Sequence, residues 1–521
     1  MEQTENVELT DSIGQTDEME ASEDRLTKRN LWSFTLASIG RDTAAGLFSN
    51  YLMAFVLYTK NLTDAQFSLI SIGAVVARLF DGFNDPIMGN IIEVTRTRWG
   101  KFKPWIFIGM LGSAIVFYVS FTNHIQDWSY VAFFIVVYLI YSLFFTMNDI
   151  GYWGMIPSLA GRKADRDRLT SQAVLFAGIG GGLTGIIVPT FTAGDLTIGG
   201  SAITAYRIIA ITFIALFLGS QAITLLGVKE KPLPSKGEAT VNKVGIRTIV
   251  NVIRSNDQLA WCLIIFLVAS TGQGLINAGV GLNYIFFEFG YNGFLFTVFS
   301  ALGALATGTV MLFFTPISKK FKRAQLMRAA TFSIVGGCAF MLLSGLLIPT
   351  TAGMLKFVML MFANLFVFAG QSIYYLIIMI CIANTVEYNE WKTGARAEGI
   401  IFSVRPFITK VGWACINLMT LIIYLATGVR NYTNQIADIE NEAAKGVMDA
   451  VMKSDAIKSI LDQVPASKNA ALLVCMTVIP AVLGLISYHL YRRKFNITEE
   501  RYEQILAELK EREALKEVAL S

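Results

Sequence analysis

Three ionisable residues lie close together in an otherwise apolar stretch that begins near residue 67. In RLFDGFNDPIMG, Arg78, Asp81 and Asp85 are spaced i, i+3 and i+7, so they share one face of a helix. Two carboxylates one turn apart repel each other in a low dielectric unless a proton, a cation or a basic group lies between them. Hard cations such as Na⁺ prefer oxygen ligands, and Asn84 adds an amide oxygen. The pattern favours a cation site. The alternative, a packing ion pair with Arg78, accounts for only one acid.

A second polar face occurs in FTMNDIGYWGMIP. Thr146, Asp149 and Trp153 again follow the i, i+3, i+7 spacing. A hydroxyl, a carboxylate and an indole in one row suit a polar ligand with flat apolar patches, such as a sugar. In the alternative interpretation, Trp153 is an interfacial anchor and Asp149 caps a helix near the cytoplasm.

Two further charged pairs interrupt apolar segments far from their ends. They are Arg41 with Asp42, and Arg405 with Lys410. One charge at the bilayer centre costs roughly 2.5–3.5 kcal/mol on insertion scales, so buried charges gather around shared, wet cavities. We therefore expect the charges to converge, with Lys410 as counter-ion for the acids when no cation is bound.

The composition indicates that lipid surrounds the elements carrying these residues. Of 521 residues, 54% are hydrophobic and 16% are charged, whereas soluble chains average about 25% charged residues. The five cysteines are scattered singly and the two histidines have no nearby ligand partner, which argues against a disulfide framework and a metalloenzyme. Hydropathy predicts an all-α membrane protein with twelve spans, at 32–58, 66–92, 104–122, 128–158, 171–193, 207–228, 259–287, 292–317, 329–349, 356–386, 398–427 and 469–491.

The spans fall into two sets of six. Lys and Arg concentrate in the loops after even-numbered spans, so the positive-inside rule places both termini in the cytoplasm. Two six-helix halves related by an axis along the membrane normal are the major facilitator plan. The predicted organisation is a disordered acidic cytoplasmic tail (1–30), an N-terminal half (31–228), a cytoplasmic connector (229–257), a C-terminal half (258–491) with an external loop (428–468), and a cytoplasmic helical tail (492–521).

Several motifs together resemble the glycoside–pentoside–hexuronide:cation symporter family of the major facilitator superfamily. They are DGFNDPIMGNIIEVTRTRWGKFKPW, VEYNEWKTGARAEGIIFSV (386–404), GRD in the first span and NDIGYW in the fourth. The resemblance covers most of 31–491. It implies a cation site formed by Asp81, Asp85, Asn84 and Thr146. Because this full set of ligands is present, the chain resembles the family members that use Na⁺. It implies a sugar site formed by Asp42, Asp149, Arg41 in place of a lysine, Trp153, Tyr375 and Lys410, the last touching both sites.

Two positions depart from the family pattern. The sugar-binding arginine of the fifth span falls on Val174, and Arg405 stands where the best-known member has an amide side chain. Because arginine pairs bidentately with carboxylates, Arg405 favours a uronide as an alternative substrate. The other interpretation is that Arg405 neutralises a nearby acid.

The predicted function is cation-coupled symport of a sugar or glycoside across the cytoplasmic membrane, by a multi-pass monomer without cofactor or nucleic-acid partner. Na⁺ is the expected coupling ion, with H⁺ or Li⁺ as alternatives, and Arg96, Arg98, Arg396 and Glu398 are candidates for a cytoplasmic gate. One alternative is a relative that carries a uronide, a lipid or another organic solute. Another is a polytopic prenyltransferase-like enzyme, since NDPIM begins like a diphosphate motif. That motif needs a further aspartate near Met88 and a second acid-rich motif, and neither is present.

Overall fold

The computed structural model describes residues 26–230, 246–277 and 279–520, in which the regular elements are helices and no strand occurs. The first set is α1 (Lys28–Thr35), α2 (Ala37–Thr59), α3 (Asp64–Val94), α4 (Lys103–Thr122), α5 (Asp127–Gly154), α6 (Ile156–Leu159), α7 (Lys163–Thr192) and α8 (Ala202–Gly227). The second set is α9 (Ile246–Ser255), α10 (Asp257–Asn277), α11 (Gly279–Phe289), α12 (Gly293–Lys320), α13 (Arg323–Leu347), α14 (Gly353–Thr393), α15 (Glu398–Thr427), α16 (Arg430–Ala444), α17 (Ala450–Asp462), α18 (Ala466–Lys494) and α19 (Glu499–Leu520).

Most of the long helices are suited to a bilayer. In the part of the chain that the structure describes, 11 helical segments are long and apolar enough to cross a membrane, with α10 and α11 forming one of them. The remaining predicted span is α2, which has 23 residues but includes Arg41, Asp42 and Asn50. It packs between α7 and α8 rather than facing lipid along its length. The predicted all-α membrane fold is confirmed.

The helices pack as two groups with few links between them. In the first group α2 packs on α7 and α8, and α5 packs on α3 and α4. In the second group α14 packs on α12 and α13, while α10 packs on α15 and α18. The groups meet where α3 packs on α15 and where α7 packs on α12. The charged residues singled out in the sequence lie on α2, α3, α5 and α15, at and beside the first of these contacts.

Local sequence signals set the ends of the two helices that meet. Thr63 and Gln66 form a capping box at the start of α3, in which the Thr63 Oγ1 accepts from the Gln66 N–H and the Gln66 Oε1 accepts from the Thr63 N–H. At the other helix, Gly428 follows α15 with a φ of +61°, a conformation that suits glycine. That turn sends the chain into α16, which lies in the predicted external loop.

The polar segments of the chain are described in part. Residues 1–25 of the predicted disordered tail (1–30) lie outside the described residues, whereas the prediction of disorder is wrong for its last three positions, because α1 begins at Lys28 and is capped by Thr27. Residues 231–245 of the predicted connector also lie outside the described residues, and its remainder includes α9. The predicted C-terminal helical tail is α19, and it contacts the end of α14 where the Trp391 indole N–H donates to Glu508.

Candidate functional site

Asp85 links the two halves of the molecule. Its Oδ1 accepts a hydrogen bond from the Thr146 hydroxyl at 3.3 Å, which ties α3 to α5. Its Oδ2 is paired with the Lys410 ammonium on α15, in the second half. Because α3 and α15 pack directly on each other, this ion pair lies at the contact between the halves. Lys410 therefore has the position expected of a counter-ion for Asp85.

Asp81 and Asn84 occupy the same part of α3. Asp81 is buried, accepts a hydrogen bond from the Ser142 hydroxyl, and lies 3.6 Å from the Arg78 guanidinium. The alternative in which Arg78 pairs with an acid is thus realised for Asp81, but Asp85 has a different basic partner. Asn84 is buried, and its amide nitrogen has no hydrogen-bond partner among the described residues. The unpartnered nitrogen is a hydrogen-bond donor, so it can bind an acceptor atom of a ligand but not a cation.

Arg41 holds a second pair of acids together. Its guanidinium donates to both oxygens of Asp42, at 3.1 and 3.2 Å, and to Asp149 at 2.8 Å. It also lies over the rings of Tyr152 and Trp153, 4.9 and 5.1 Å from their centroids. Aromatic faces attract a guanidinium, so Arg41 is fixed from two sides. The interpretation of Asp149 as a helix cap is wrong, since it lies inside α5 and pairs with Arg41.

These acids form one electrostatic group. Asp149 is close enough to Asp85 and Lys410 for both charges to act on its carboxylate. Among the described side chains, four carboxylates and three basic groups surround the site, which leaves one net negative charge when all are ionised. They are Asp42, Asp81, Asp85 and Asp149, and Arg41, Arg78 and Lys410.

The other predicted site residues are placed differently. Tyr375 lies on α14 with its ring 6.2 Å from that of Phe266, on the side of the second half. Arg405 belongs to α15, but its side chain lies outside the described ones. Val174 is exposed on α7.

The candidate gating residues form contacts inside their own halves. Arg96 donates to the backbone carbonyls of Glu93 and Thr95. Arg396 pairs with Glu387, Glu390 and Glu398, all from the end of α14 or the start of α15. Arg98 is exposed in the loop before α4. In this conformation the described contacts of Arg96, Arg396 and Glu398 therefore do not connect the halves.

The structure adds one polar residue that the sequence reasoning missed. Ser142 lies one turn before Thr146 on α5, so the two hydroxyls contact Asp81 and Asp85 respectively. The signal was available in the spacing: Ser142 precedes Thr146 by four residues, as Asp81 precedes Asp85.

The halves are joined on the external side by α16. Arg430 is buried and donates to the Thr63 carbonyl at 2.9 Å and to Asp64 at 3.2 Å. Glu440 accepts from the Ala202 N–H at 2.6 Å, and the Asn61 amide donates to Asp438. We call this set the external contact. Its counterpart within the membrane is a hydrogen bond between the Tyr58 hydroxyl and Asn283.

The acids remain partly accessible to solvent although the external contact holds the halves together. The Asp149 side chain is 42% exposed although it lies within a membrane-spanning helix. A polar ligand can therefore reach its carboxylate.

A close contact between α3 and α15 occurs one turn from Asp85. The Phe407 ring lies against Gly82, so closely that a Cβ at Gly82 would be 2.5 Å from a ring carbon. Pro86 follows Asp85 and lacks the N–H that would bond to the Gly82 carbonyl. At the point where the halves touch, α3 therefore lacks a side chain at Gly82 and lacks the backbone hydrogen bond that Pro86 cannot donate.

The fold and the enclosed charges define a class: a multi-pass membrane transporter in which ligands meet charged groups between two helical halves. A family model described as MFS/sugar transport protein matches residues 33–499, and the chain belongs to this family. The predicted glycoside–pentoside–hexuronide membership is confirmed, as are the cell-membrane location and the prediction that the protein is not an enzyme. The prenyltransferase-like alternative is wrong.

Individual relatives agree with this assignment. The chain is 28% identical over 489 residues to the raffinose carrier protein of Pediococcus pentosaceus, covering 90% of this chain and 69% of that one. It is 27% identical over 495 residues to the lactose permease of Lactobacillus delbrueckii subsp. bulgaricus, with 92% and 72% covered. A solved bacterial homologue of the human lysosomal transporter Spinster, inward-facing and occupied, is similar with a TM-score of 0.55 at 12% identity, covering 89% of this chain and 97% of that one. This last similarity shows the fold.

Proposed function

We propose that the protein is a cation-coupled symporter that takes up a sugar or glycoside across the cytoplasmic membrane by alternating access. Na⁺ is the coupling ion we favour, and H⁺ and Li⁺ are alternatives for the same site. The observation that carries the proposal is the Asp85–Lys410 ion pair, because one carboxylate is shared between a basic group of the other half and the proposed cation site. We further propose that a monomer, in contact with the bilayer, is sufficient.

In the proposed cation step, the ion takes the place of the Lys410 ammonium beside the Asp85 carboxylate. Asp81, Asp85 and the Thr146 hydroxyl supply oxygen atoms of the kind that a hard cation prefers, and the amide oxygen of Asn84 is the fourth proposed ligand. A cation bound at Asp85 competes with Lys410 for the same carboxylate. Counted over its described side chains, which do not include Arg405, the group carries one net negative charge, and a monovalent cation neutralises that charge.

The proposed sugar step uses the neighbouring acids. Asp149 binds Arg41 through one oxygen at 2.8 Å, which leaves its other oxygen to accept from sugar hydroxyls. Asp42 is 25% exposed and borders the same space. Trp153 is half-buried and offers an aromatic surface, although the Arg41 guanidinium lies over its ring. From the second half, Tyr375 and Arg405 are the proposed partners, in addition to Lys410.

Coupling between the two ligands follows from the shared lysine. When a cation releases Lys410 from Asp85, the ammonium is free to bind a sugar hydroxyl beside Asp149. Such coupling is reciprocal and is typically about 1–3 kcal/mol. Loss of the Asp85–Lys410 pair also removes one charged link between the halves. The external contact then opens while the cytoplasmic side closes, with Arg96, Arg98, Arg396 and Glu398 as proposed contributors to that closed state.

Uptake into vesicles of purified, reconstituted protein tests the proposal. Labelled raffinose, lactose and a glucuronide are offered separately, each with an inward Na⁺, Li⁺ or proton gradient or with none. We expect concentrative uptake of a neutral sugar with the Na⁺ gradient. Asp85→Asn should abolish concentrative uptake but retain sugar exchange at equilibrium, because the sugar-site acids remain. Asp167→Asn, at an exposed acid on α7, is the matched control and should behave as wild type.

Each other outcome has a distinct meaning. Uptake of the glucuronide alone would favour the uronide alternative and give Arg405 the role of binding its carboxylate. Uptake driven only by the proton gradient would keep the symporter and replace Na⁺. Absence of gradient-driven uptake for every sugar would overturn the proposal and favour a carrier of lipids or other solutes.

A further inference from the structure

A second space between the halves lies on the external side of the charged group. It is a cavity of about 500 Å³, within the range of about 300–1,000 Å³ that small-molecule sites occupy. Both halves line it, with α2, α3 and α5 on one side and α10, α11, α12, α14 and α15 on the other. Leu57 lines it next to Tyr58, whose hydrogen bond to Asn283 helps to hold the external side closed.

The described lining differs in chemistry from the charged group. Among the residues whose side chains the structure describes, those that line the cavity include no Asp, Glu, Lys or Arg. Instead the wall carries amide, hydroxyl and aromatic side chains. The amides and the larger aromatic rings include Asn50, Gln273, Gln371, Asn417, Tyr51 and Trp413. This combination suits an uncharged ligand with many hydroxyls and apolar C–H faces.

Four wall residues carry buried polar atoms that lack a partner among the described residues. They are the Ser71 hydroxyl, the Gln371 amide nitrogen, the Thr420 hydroxyl and the Tyr424 hydroxyl. The side chains of Ser71, Gln371 and Tyr424 are at least nine-tenths buried. Buried polar groups are normally hydrogen-bonded, so unpaired ones in a cavity wall point to a ligand or water that is part of the site. The Tyr424 hydroxyl is accommodated by Gly279, where a Cβ would lie only 2.2 Å from it.

The cavity adjoins the charged group. Thr409, which lines it, directly precedes Lys410 on α15. Tyr138, also in the wall, lies 5.9 Å from the Arg78 guanidinium, which pairs with Asp81. A molecule bound to the sugar-site acids and extended toward the external side would therefore enter this cavity.

We propose that the cavity binds an uncharged glycosyl unit, so that the substrate is a glycoside or oligosaccharide with one ring at the acids and a second ring here. The proposal rests on the proposed function and specifies its substrate class. Gln371 and Gln273 donate to and accept from ring hydroxyls, and Trp413 packs on a C–H face. Specificity for the second ring is set by these neutral groups and not by charge.

Binding measurements on the detergent-solubilised full chain test this proposal. Galactose, lactose and raffinose are titrated by calorimetry in saturating Na⁺ into wild type, Gln371→Leu and the exposed control Gln463→Leu. We expect lactose and raffinose to bind more tightly than galactose. Gln371→Leu should weaken both by about 5- to 20-fold, as for loss of one or two neutral hydrogen bonds, and leave galactose unchanged. Gln463→Leu should leave all three affinities unchanged.

Fluorescence of Trp413 gives an independent measurement on the folded wild-type protein. The signal is the difference between wild type and Trp413→Phe, and it should respond to lactose and raffinose but not to galactose. An equal response to galactose, or an equal loss of galactose and lactose affinity in Gln371→Leu, would overturn the second subsite. Equal wild-type affinities for galactose and lactose would also overturn the second subsite, but they would not contradict the proposed symport function. Failure of every sugar to bind would instead overturn the proposed function itself, and the subsite with it.

Discussion

The two halves contribute opposite chemistry at two of the places where they meet. At mid-membrane the first half supplies Arg41, Arg78 and all four acids, while the described ionisable partner from the second half is Lys410. At the external contact the arrangement is reversed. There Arg430 and Glu440 come from the second half and meet mainly backbone groups of the first, the Thr63 carbonyl and the Ala202 N–H.

This difference assigns ligand recognition to the charges of the first half and movement to the contacts between the halves. A charge-rich first half holds its acids with its own arginines, so that part of the site persists when the halves move apart. The cross-half link at mid-membrane is a single ion pair on partly exposed side chains, which a cation can replace. The external contact uses buried charges against fixed backbone atoms, which gives one defined closed geometry. The following predictions test this division from the largest expected effect to the smallest.

Removal of Arg41 should have the largest effect. Arg41→Leu leaves Asp42 and Asp149 without their basic partner at a position where the arginine is 4% exposed. The two acids then repel each other and lose the donor that orients them, so we expect sugar affinity to fall by about 100-fold. Arg41→Lys should restore part of it, because lysine keeps the charge but not the fork of donors. Calorimetry of sugar binding checks this, with Arg168→Leu as an exposed control. Wild-type affinity in Arg41→Leu would show that the first-half cluster is not the sugar site.

Lys410→Met tests the single charged link from the second half. Without the ammonium, Asp85 gains negative potential, and its partial exposure of 30% limits the gain to about 1–2 kcal/mol. Sodium affinity measured without sugar should therefore rise about 5- to 30-fold, while concentrative sugar uptake falls. Lys392→Met, at an exposed lysine paired with Asp257, is the control. If sodium affinity stays unchanged, Lys410 does not compete with the cation.

Ser142→Ala should weaken cation binding by a smaller factor. The hydroxyl contacts Asp81 whether or not a cation is present, so only the difference between the two states counts. We expect a decrease in sodium affinity of about 2- to 5-fold, less than the full value of a hydrogen bond to a charged group. Sodium titration checks this, and Ser142→Thr should retain wild-type affinity. An increase in sodium affinity would mean that the hydroxyl competes with the cation rather than supporting its ligand.

The smallest effect concerns the external contact and pH. Burial raises the pKa of Glu440 above its ordinary value, although Lys453 and the Ala202 N–H act in the opposite direction. Because its pKa is higher in the closed state than in water, Glu440 favours closure at pH values below the ordinary pKa. That contribution is lost as the pH rises through the raised pKa. The paired lysine keeps the effect to about two- to threefold in the closed-to-open ratio.

Distances between spin labels at the exposed external positions Trp128 and Val451 measure this ratio. The pH dependence should disappear in Glu440→Gln, which cannot ionise. A pH dependence that survives in that variant would show that another group titrates. The charges of the external contact would then have a structural role only.

The sequence predicted the mid-membrane group because charges in lipid are costly and rarely placed without a partner. Spacing alone placed Asp81 and Asp85 on one face, and burial cost predicted that Lys410 would approach them. Ser142 was not predicted because a serine hydroxyl in a membrane helix has a low free-energy cost, so it does not stand out in an apolar segment as a charge does. The external contact could not be foreseen, since a long loop's charges do not show whether the loop folds back onto the protein. The bonding of Arg41 to two acids depends on distances that no linear pattern contains.

The bare surface of α3 beside Asp85 has a mechanical consequence. Because Gly82 has no side chain, the Phe407 ring of α15 can lie directly against the backbone of α3. A side chain at position 82 would displace this ring, one turn from the carboxylate that pairs with Lys410 across the halves. The size of the residue at this position therefore sets how closely the two halves approach beside Asp85.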